Sequence, residues 1–342
     1  MFLHVYKSLN GSLPYLESRF RTYKMASNIP RPPYDPELNK ILTSLSFPPI
    51  ITPEHIPAVR ARPTAGPEQF LVGLPIAHEN LFINGPGGDI PISVFRSSTS
   101  ASTKRPTILW FHGGGFFAGS RFGGILNLLK FVQELDAVII TVEYRLGPEH
   151  PDPAAVEDGY ASLVWMSEHS VELGIDPAKL MIAGSSAGAG LAAGVALYAR
   201  DHGGPAICAQ LLQSPMIDDR LETLANQQYT ADGTLTRGSA ETGWNALLGS
   251  RRGGKGVSIY AAPGRATDLS GLPPAFIDGG DAEIFRDDIM AFASKFWAAG
   301  VQAELHIWGG AFHRFQAFAP KAAITVIADT TRDAWVRRIL AA

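Results

Sequence analysis

Three short stretches of this 342-residue chain hold the residue types that acyl transfer needs. Residues 184–188 read Gly-Ser-Ser-Ala-Gly, a G-x-S-x-G pattern centred on Ser186. A serine hydroxyl is a weak nucleophile unless a base takes its proton and a tight turn exposes it. Gly184 and Gly188 suit that turn, because a side chain at either position would strike the adjoining strand or helix. Further upstream stands His112-Gly113-Gly114-Gly115. Attack on a carbonyl puts negative charge on its oxygen, and preorganised backbone N–H groups stabilise that charge. The expected donors are the amides of Gly114, Gly115 and Ala187, the residue after the nucleophile. His112 is expected to orient this loop rather than to move protons.

A base and an acid must follow the nucleophile in the order acid, then base. His306 lies inside the apolar run Glu304–Trp308 and reads as a structural residue. His313 lies in the next loop, Gly309-Gly310-Ala311-Phe312-His313, and is the expected base. The acid should follow the run Ala275–Ile277, and spacing alone leaves Asp281 and Glu283 open. Either carboxylate could hold the imidazole in the right tautomer. Asp287 and Asp288 open a helix, where acidic residues offset the dipole.

These residues need a scaffold, and the apolar pattern supplies one. Strand-like runs occur at Ile90–Phe95, Thr107–Phe111, Ala137–Tyr144, Leu180–Ala183, Ile207–Leu212, Ala275–Ile277 and Glu304–Trp308. Helix-length amphipathic segments, including Pro153–Glu168, Ala187–Asp201 and Phe285–Ala299, fall between most of them. Strand–helix alternation implies a mostly parallel sheet covered on both faces, an α/β fold. Gly85-Pro86-Gly87-Gly88 reads as a turn between strands. Residues 216–268 break the alternation with helices and loops, and a proline-rich arm with a short helical pattern near Pro36–Leu45 precedes the sheet. The expected organisation is an arm at 1–70, a catalytic core at 71–215 and 269–342, and a cap insertion at 216–268. An insertion at the carboxyl ends of the strands would roof the site.

Composition narrows the function classes. A net charge of −3 argues against broad nucleic-acid binding, which needs a basic face. No apolar run is long enough to span a bilayer. The single cysteine, Cys208, rules out an internal disulfide, fits a reducing compartment and is expected to be a buried, inert thiol. Residues 1–24 lack the unbroken apolar core of a secretory signal, which leaves a weak targeting peptide or initiation at Met25. A cytoplasmic location is the expectation. Gly249–Lys255 approaches a phosphate-binding loop, but Gly256 stands where Ser or Thr is required and no strand precedes it. The histidines show no metal-ligand spacing, so no metal or organic cofactor is expected.

Taken together, His112-Gly113-Gly114-Gly115-Phe116, Tyr144-Arg145-Leu146-Gly147-Pro148-Glu149-His150-Pro151 continuing to Asp158, and Gly184–Gly188 resemble the hormone-sensitive-lipase family of esterases, the bacterial lipase family IV. The resemblance covers about residues 70–330 and implies an α/β-hydrolase fold with an eight-stranded sheet under a helical cap. It also implies the acid. Members carry Asp-x-Leu-Arg-Asp after a Pro-Pro-Ala strand, and counting from Pro273-Pro274-Ala275 or back from Arg286-Asp287 puts Glu283 in the acid's slot. Some relatives of a fungal kind have glutamate there. Arg145, Glu149 and Asp158 resemble a structural charge network. Two departures bear on the substrate: Ser185 replaces the usual Asp or Thr, and His313-Arg314-Phe315 replaces His-Gly-Phe.

The expected function is therefore hydrolysis of small esters with short to medium acyl chains through an acyl-enzyme. Ser186, Glu283 and His313 would form the catalytic triad. Phe116, Phe117, Tyr229, Trp244 and Phe312 are candidates for an apolar pocket wall, and each is equally a candidate for the core. An amidase or acyltransferase would use the same triad. A small-molecule receptor of this fold would have lost the histidine that this chain keeps. Oligomeric state is not readable from the residues, and the resemblance makes a homodimer the expectation.

Overall fold

The computed structural model describes residues 29–341 except Phe47 and Pro49. The segment in question at residues 1–24 lies outside the described residues. The apolar runs form strands β1 (Ile76–Gly85), β2 (Gly88–Ser97), β3 (Arg105–Phe111), β4 (Val138–Val142), β5 (Ile175–Ser185), β6 (Ala209–Gln213), β7 (Ala275–Gly280) and β8 (Ala303–Trp308). They form one eight-stranded sheet in the order β1-β2-β4-β3-β5-β6-β7-β8. β1 and β2 are an antiparallel hairpin turning at Gly85–Gly88, β2 is antiparallel to β4, and all later pairs are parallel. The expected runs omit β1, an edge strand that buries only Ile76 and Ile83 and gives no continuous apolar signal.

β3, β4 and β7 are buried along their whole length, as parallel strands covered on both faces must be. The period of two separates their side chains. Leu109 and Phe111 face one core with Ile140, Ile182 and Ile277, and Ile108 and Trp110 face the other with Ile139, Met181 and Phe276. The longer helices are α1 (Pro36–Ser44), α2 (Leu129–Glu134), α3 (Ala154–Glu168), α4 (Ala187–Asp201), α5 (Arg237–Leu248), α6 (Arg286–Ala298) and α7 (Ala323–Ala341). α3, α4 and α6 cover the first face and α2 and α7 the second. α1 begins where Asp35 accepts the amides of Glu37 and Leu38 and Pro36 takes the first helical position.

Residues 216–268 contain helices and turns and no strand. They pack against the core through close backbone contact, since a Cβ on Gly194 of α4 would lie 2.0 Å from the Tyr260 carbonyl oxygen. The arm reaches the same region. Arg31 pairs with Asp232 at 2.7 Å, its guanidinium lies over the rings of Tyr34 and Tyr229, and the Asp35 amide donates to the Gly310 carbonyl at 3.0 Å. The charge network differs from the expected one. Arg145 holds the buried Asp158, but Glu149 pairs with Arg60 of the arm, and hydrogen bonds from Arg60 lower the Glu149 carboxyl to about 2. Cys208 is half-buried rather than sealed, and burial pushes its thiol up to about 11. No helix among the described residues is long and apolar enough to cross a membrane.

Candidate active site

β5 runs out at Ser185 and α4 begins at Ala187, so Ser186 alone makes the turn. Its backbone sits at φ 57°, ψ −120°, a conformation that L-residues rarely adopt and that needs support from its surroundings. The support is close packing. A Cβ on Gly184 would lie 2.2 Å from the Gly188 carbonyl oxygen, and one on Gly188 would lie 2.2 Å from the carbonyl oxygen of Phe111 at the end of β3. The Ser186 amide donates to Gln213 on β6, and its carbonyl accepts from Ala189, Gly190 and Met216. The turn is thus held from both sides by backbone.

The loops after β7 and β8 meet this turn. His313 Nε2 lies 2.9 Å from Ser186 Oγ, and His313 Nδ1 lies 2.5 Å from Glu283 Oε2. A carboxylate can only accept, so Nδ1 carries the proton and Nε2 is left to accept from the serine hydroxyl. Glu283 Oε1 accepts from the Gly280 amide at 3.2 Å, which fixes the carboxylate at its other end. Ser186 and His313 are each 5 % exposed and Glu283 is 2 % exposed, so the three groups interact with little competition from water. Asp281, the other carboxylate left open by spacing, points elsewhere. Its Oδ1 accepts from the Gly310 amide at 2.6 Å, and its own amide donates to the Trp308 carbonyl at 3.0 Å. Asp287 and Asp288 lie in the first turn of α6, and His306 lies in β8 beside Glu304.

The glycine loop closes over the Ser186 turn. The Gly114 carbonyl accepts from Phe117 and Ala118, and Gly114 at φ 136° adopts a conformation that a side chain would oppose. Gly113 sits against Ser186, since a Cβ there would lie 3.4 Å from the serine Cβ. The amides of Gly114 and Gly115 have no acceptor among the described residues. Ala187 is the first residue of α4, where helical N–H groups lack intrahelical acceptors. His112 is fully buried, stacks on Tyr144 at 4.3 Å between ring centres, and donates from Nδ1 to the Gly113 carbonyl. Burial lowers its pKa to about 4, which keeps the ring neutral near pH 7.

The five aromatic candidates do not gather in one place. Phe116 packs on Trp244 with ring centres 5.6 Å apart, and both belong to the main core. Phe117 packs with Ile56 and Ala246 in a separate cluster, and Phe312 packs with Leu38 and Phe315 in another. Tyr229 is brought near Phe312 only through Tyr34 of the arm, which contacts both rings. All five are buried. Two contacts were not anticipated. The Tyr144 hydroxyl donates to the His112 carbonyl at 2.7 Å, joining the first residue of the 144–158 motif to the glycine loop. Thr234 Oγ1 donates to the His313 carbonyl at 2.6 Å, and an isolated threonine in a loop gives no sequence signal.

Known proteins share this arrangement of chain. The sequence pattern of the alpha/beta hydrolase fold family matches residues 108–317. The chain is 35% identical over 283 residues to the esterase LipI of Mycobacterium tuberculosis, covering 81% of this chain and 86% of that one. It is 33% identical over 286 residues to the carboxylesterase NlhH of the same organism, covering 81% and 87%. Among solved structures, a bacterial heroin esterase superposes with a TM-score of 0.81 at 35% identity, covering 90% of this chain and 98% of that one. The esterase LipW from Mycobacterium marinum gives 0.79 at 29% identity with the same coverage. With the sheet, the nucleophile turn and these relatives in agreement, the chain belongs to the α/β-hydrolase family, in its hormone-sensitive-lipase branch.

Proposed function

We propose that the protein is a serine carboxylic-ester hydrolase, with Ser186 as nucleophile, His313 as general base and Glu283 as the acid that orients it. The observation that carries this reading is the continuous hydrogen-bonded line from Ser186 Oγ through both ring nitrogens of His313 to Glu283. The esterase names of its relatives support the same class of reaction.

As Ser186 Oγ bonds to the ester carbonyl carbon, His313 Nε2 takes the hydroxyl proton and the carbonyl π pair moves onto oxygen. The amides of Gly114, Gly115 and Ala187 receive that oxyanion, each donor being worth about 3 kcal/mol in the transition state. Glu283 stabilises the imidazolium. The tetrahedral carbon then collapses, the bond to the alcohol oxygen breaks, and His313 returns its proton to the departing alkoxide. A water deprotonated by His313 attacks the acyl-enzyme, and the same steps in reverse order release the acid and restore Ser186.

The described residues of the arm at 1–70 and the insertion at 216–268 are proposed to form a roof over the core at 71–215 and 269–342. The Arg31–Asp232 pair and the Thr234–His313 hydrogen bond support that division. A roofed site favours small esters with short to medium acyl chains. A cytoplasmic setting is proposed with it, since the single cysteine needs no oxidising compartment. The test is release of p-nitrophenol from acetate, butyrate and longer esters. Wild type should turn over, with the shorter esters preferred, and Ser186→Ala should lose that turnover. A folded wild-type protein inert on every ester, or an active Ser186→Ala variant, would refute the proposal.

A further inference from the structure

One buried carboxyl beside the site plays no part in the steps above. Asp278 lies in β7, 0 % exposed, and its Oδ2 accepts from Trp308 Nε1 at 3.3 Å and from Gln316 Nε2 at 3.1 Å. Its Oδ1 has no hydrogen-bond partner among the described residues. Trp308 ends β8, and Gln316 lies in the short helix Phe315–Phe318 that follows His313. The two donors therefore bracket the turn that carries His313.

We propose that Asp278 is a positioning residue for ester hydrolysis: one carboxylate oxygen ties together both ends of the turn that holds His313 over Ser186. The proposal rests on the ester-hydrolase reading. Of the other ties from the β7 side, Glu283 holds the His313 ring itself and two act before it in the turn. Asp281 Oδ1 holds the Gly310 amide, and the Ala282 amide donates to the Ala311 carbonyl at 3.2 Å. Gln316 is the anchor on the far side of His313, and Asp278 is its side-chain partner.

The surroundings make this carboxyl a costly one to keep. On the neighbouring strand, His306 stacks between Phe276 and Trp308 and faces Glu304. From α7 comes Arg332, 1 % exposed and already paired with Asp329 and Asp333. Burial pushes the Asp278 carboxyl up to about 6. Arg332 and the Trp308 hydrogen bond oppose the shift, while Glu283 and Asp329 add to it. Among the described residues no cation forms an ion pair with it, Arg332 acting only at a distance, and an apolar side chain would fill the space at lower cost. Holding a general base in line is a use that an acceptor at this point serves and an apolar side chain does not. A misplacement of about 1 Å can lower a rate about a hundredfold.

The experiment compares Asp278→Ala and Asp278→Asn with wild type on p-nitrophenyl butyrate, with melting curves to verify folding. Asp278→Ala should lower kcat about tenfold to a hundredfold while KM changes by less than about twofold, because the turn shifts and the ester's binding surface does not. Asp278→Asn keeps an oxygen that accepts from both donors and should recover most of the lost kcat. If Asp278→Ala does not fold, Gln316→Ala removes one tie alone and should lower kcat with the same unchanged KM. A folded Asp278→Ala with wild-type kcat overturns the proposal, and so does an Asp278→Asn as impaired as the alanine variant. Failure of the ester-hydrolase reading would look different, since wild type itself would then be inert.

Discussion

Replacing Glu283 with glutamine tests the chemistry of the site with almost no change in volume. Glu283 makes two contacts, Oε2 to His313 Nδ1 at 2.5 Å and Oε1 to the Gly280 amide at 3.2 Å. The Gly280 N–H can only donate, so the glutamine oxygen must stay with it or leave a buried amide unsatisfied. The glutamine NH2 then faces Nδ1, which must accept. His313 is forced to carry its proton on Nε2, the nitrogen 2.9 Å from Ser186 Oγ, and a protonated Nε2 cannot take the serine proton. Where an orienting carboxylate has been neutralised in this way in a serine protease triad, kcat falls about ten thousandfold. The same loss here corresponds to about 5 kcal/mol of transition-state stabilisation. The assay is steady-state hydrolysis of p-nitrophenyl butyrate, with KM expected to change little. Asp281→Asn is the control, because its side-chain oxygen can still accept the Gly310 amide, and its cost should stay within about 1 kcal/mol. A Glu283→Gln variant within tenfold of wild type would refute this reasoning, and a crippled Asp281→Asn beside it would move the acid to Asp281.

Two further outcomes follow from the same geometry. Gly188→Ala puts a methyl group 2.2 Å from the Phe111 carbonyl oxygen and 2.4 Å from that of His112, so backbone at the end of β3 must move. The variant should lose about 3 kcal/mol or more in urea unfolding, and a loss below about 1 kcal/mol would show that the turn is looser than described. His112 gives a pH signature. Its folded-state value near 4 lies below the ordinary 6.5, so the unfolded chain binds the proton more tightly, and its contribution to stability is lost as pH falls from about 6.5 to 4. That span is worth roughly 3 kcal/mol. Asp278, raised to about 6, works in the opposite direction over part of the window, so the reading is the difference in pH slope between wild type and His112→Gln. Identical slopes would exclude the buried neutral ring as the source.

What could be read in the sequence was what depends on short spans of chain. Leu180–Ala183, the G-x-S-x-G turn and the small residues after it are contiguous, so strand, turn and helix are all written within residues 180–200. His112–Gly115 and the strand before it are equally local. The choice between Asp281 and Glu283 was not local. It depends on which carboxylate reaches across to the loop after β8, and the spacing along one loop carries no such information. The aromatic residues show the same limit, since Phe117 and Phe312 look alike in sequence and pack in different clusters. The resemblance places Glu149 in one charge network with Arg145, yet its partner Arg60 stands 89 positions away. β1 has little apolar signal because this edge strand buries only Ile76 and Ile83.

The joint between arm, insertion and base loop also sets an order of events in the life of the chain. Arg31 and Asp232 are separated by 201 positions, and Thr234 reaches His313 across 79 more. On the ribosome, the first of these segments emerges long before its partners exist. The β-sheet can begin to assemble from its hairpin and its helix-linked strands, but the base cannot be fastened until nearly the whole chain has been made. On the proposed mechanism, a nascent molecule has its serine before its proton acceptor, and acquires its reactivity as one of the last steps of maturation.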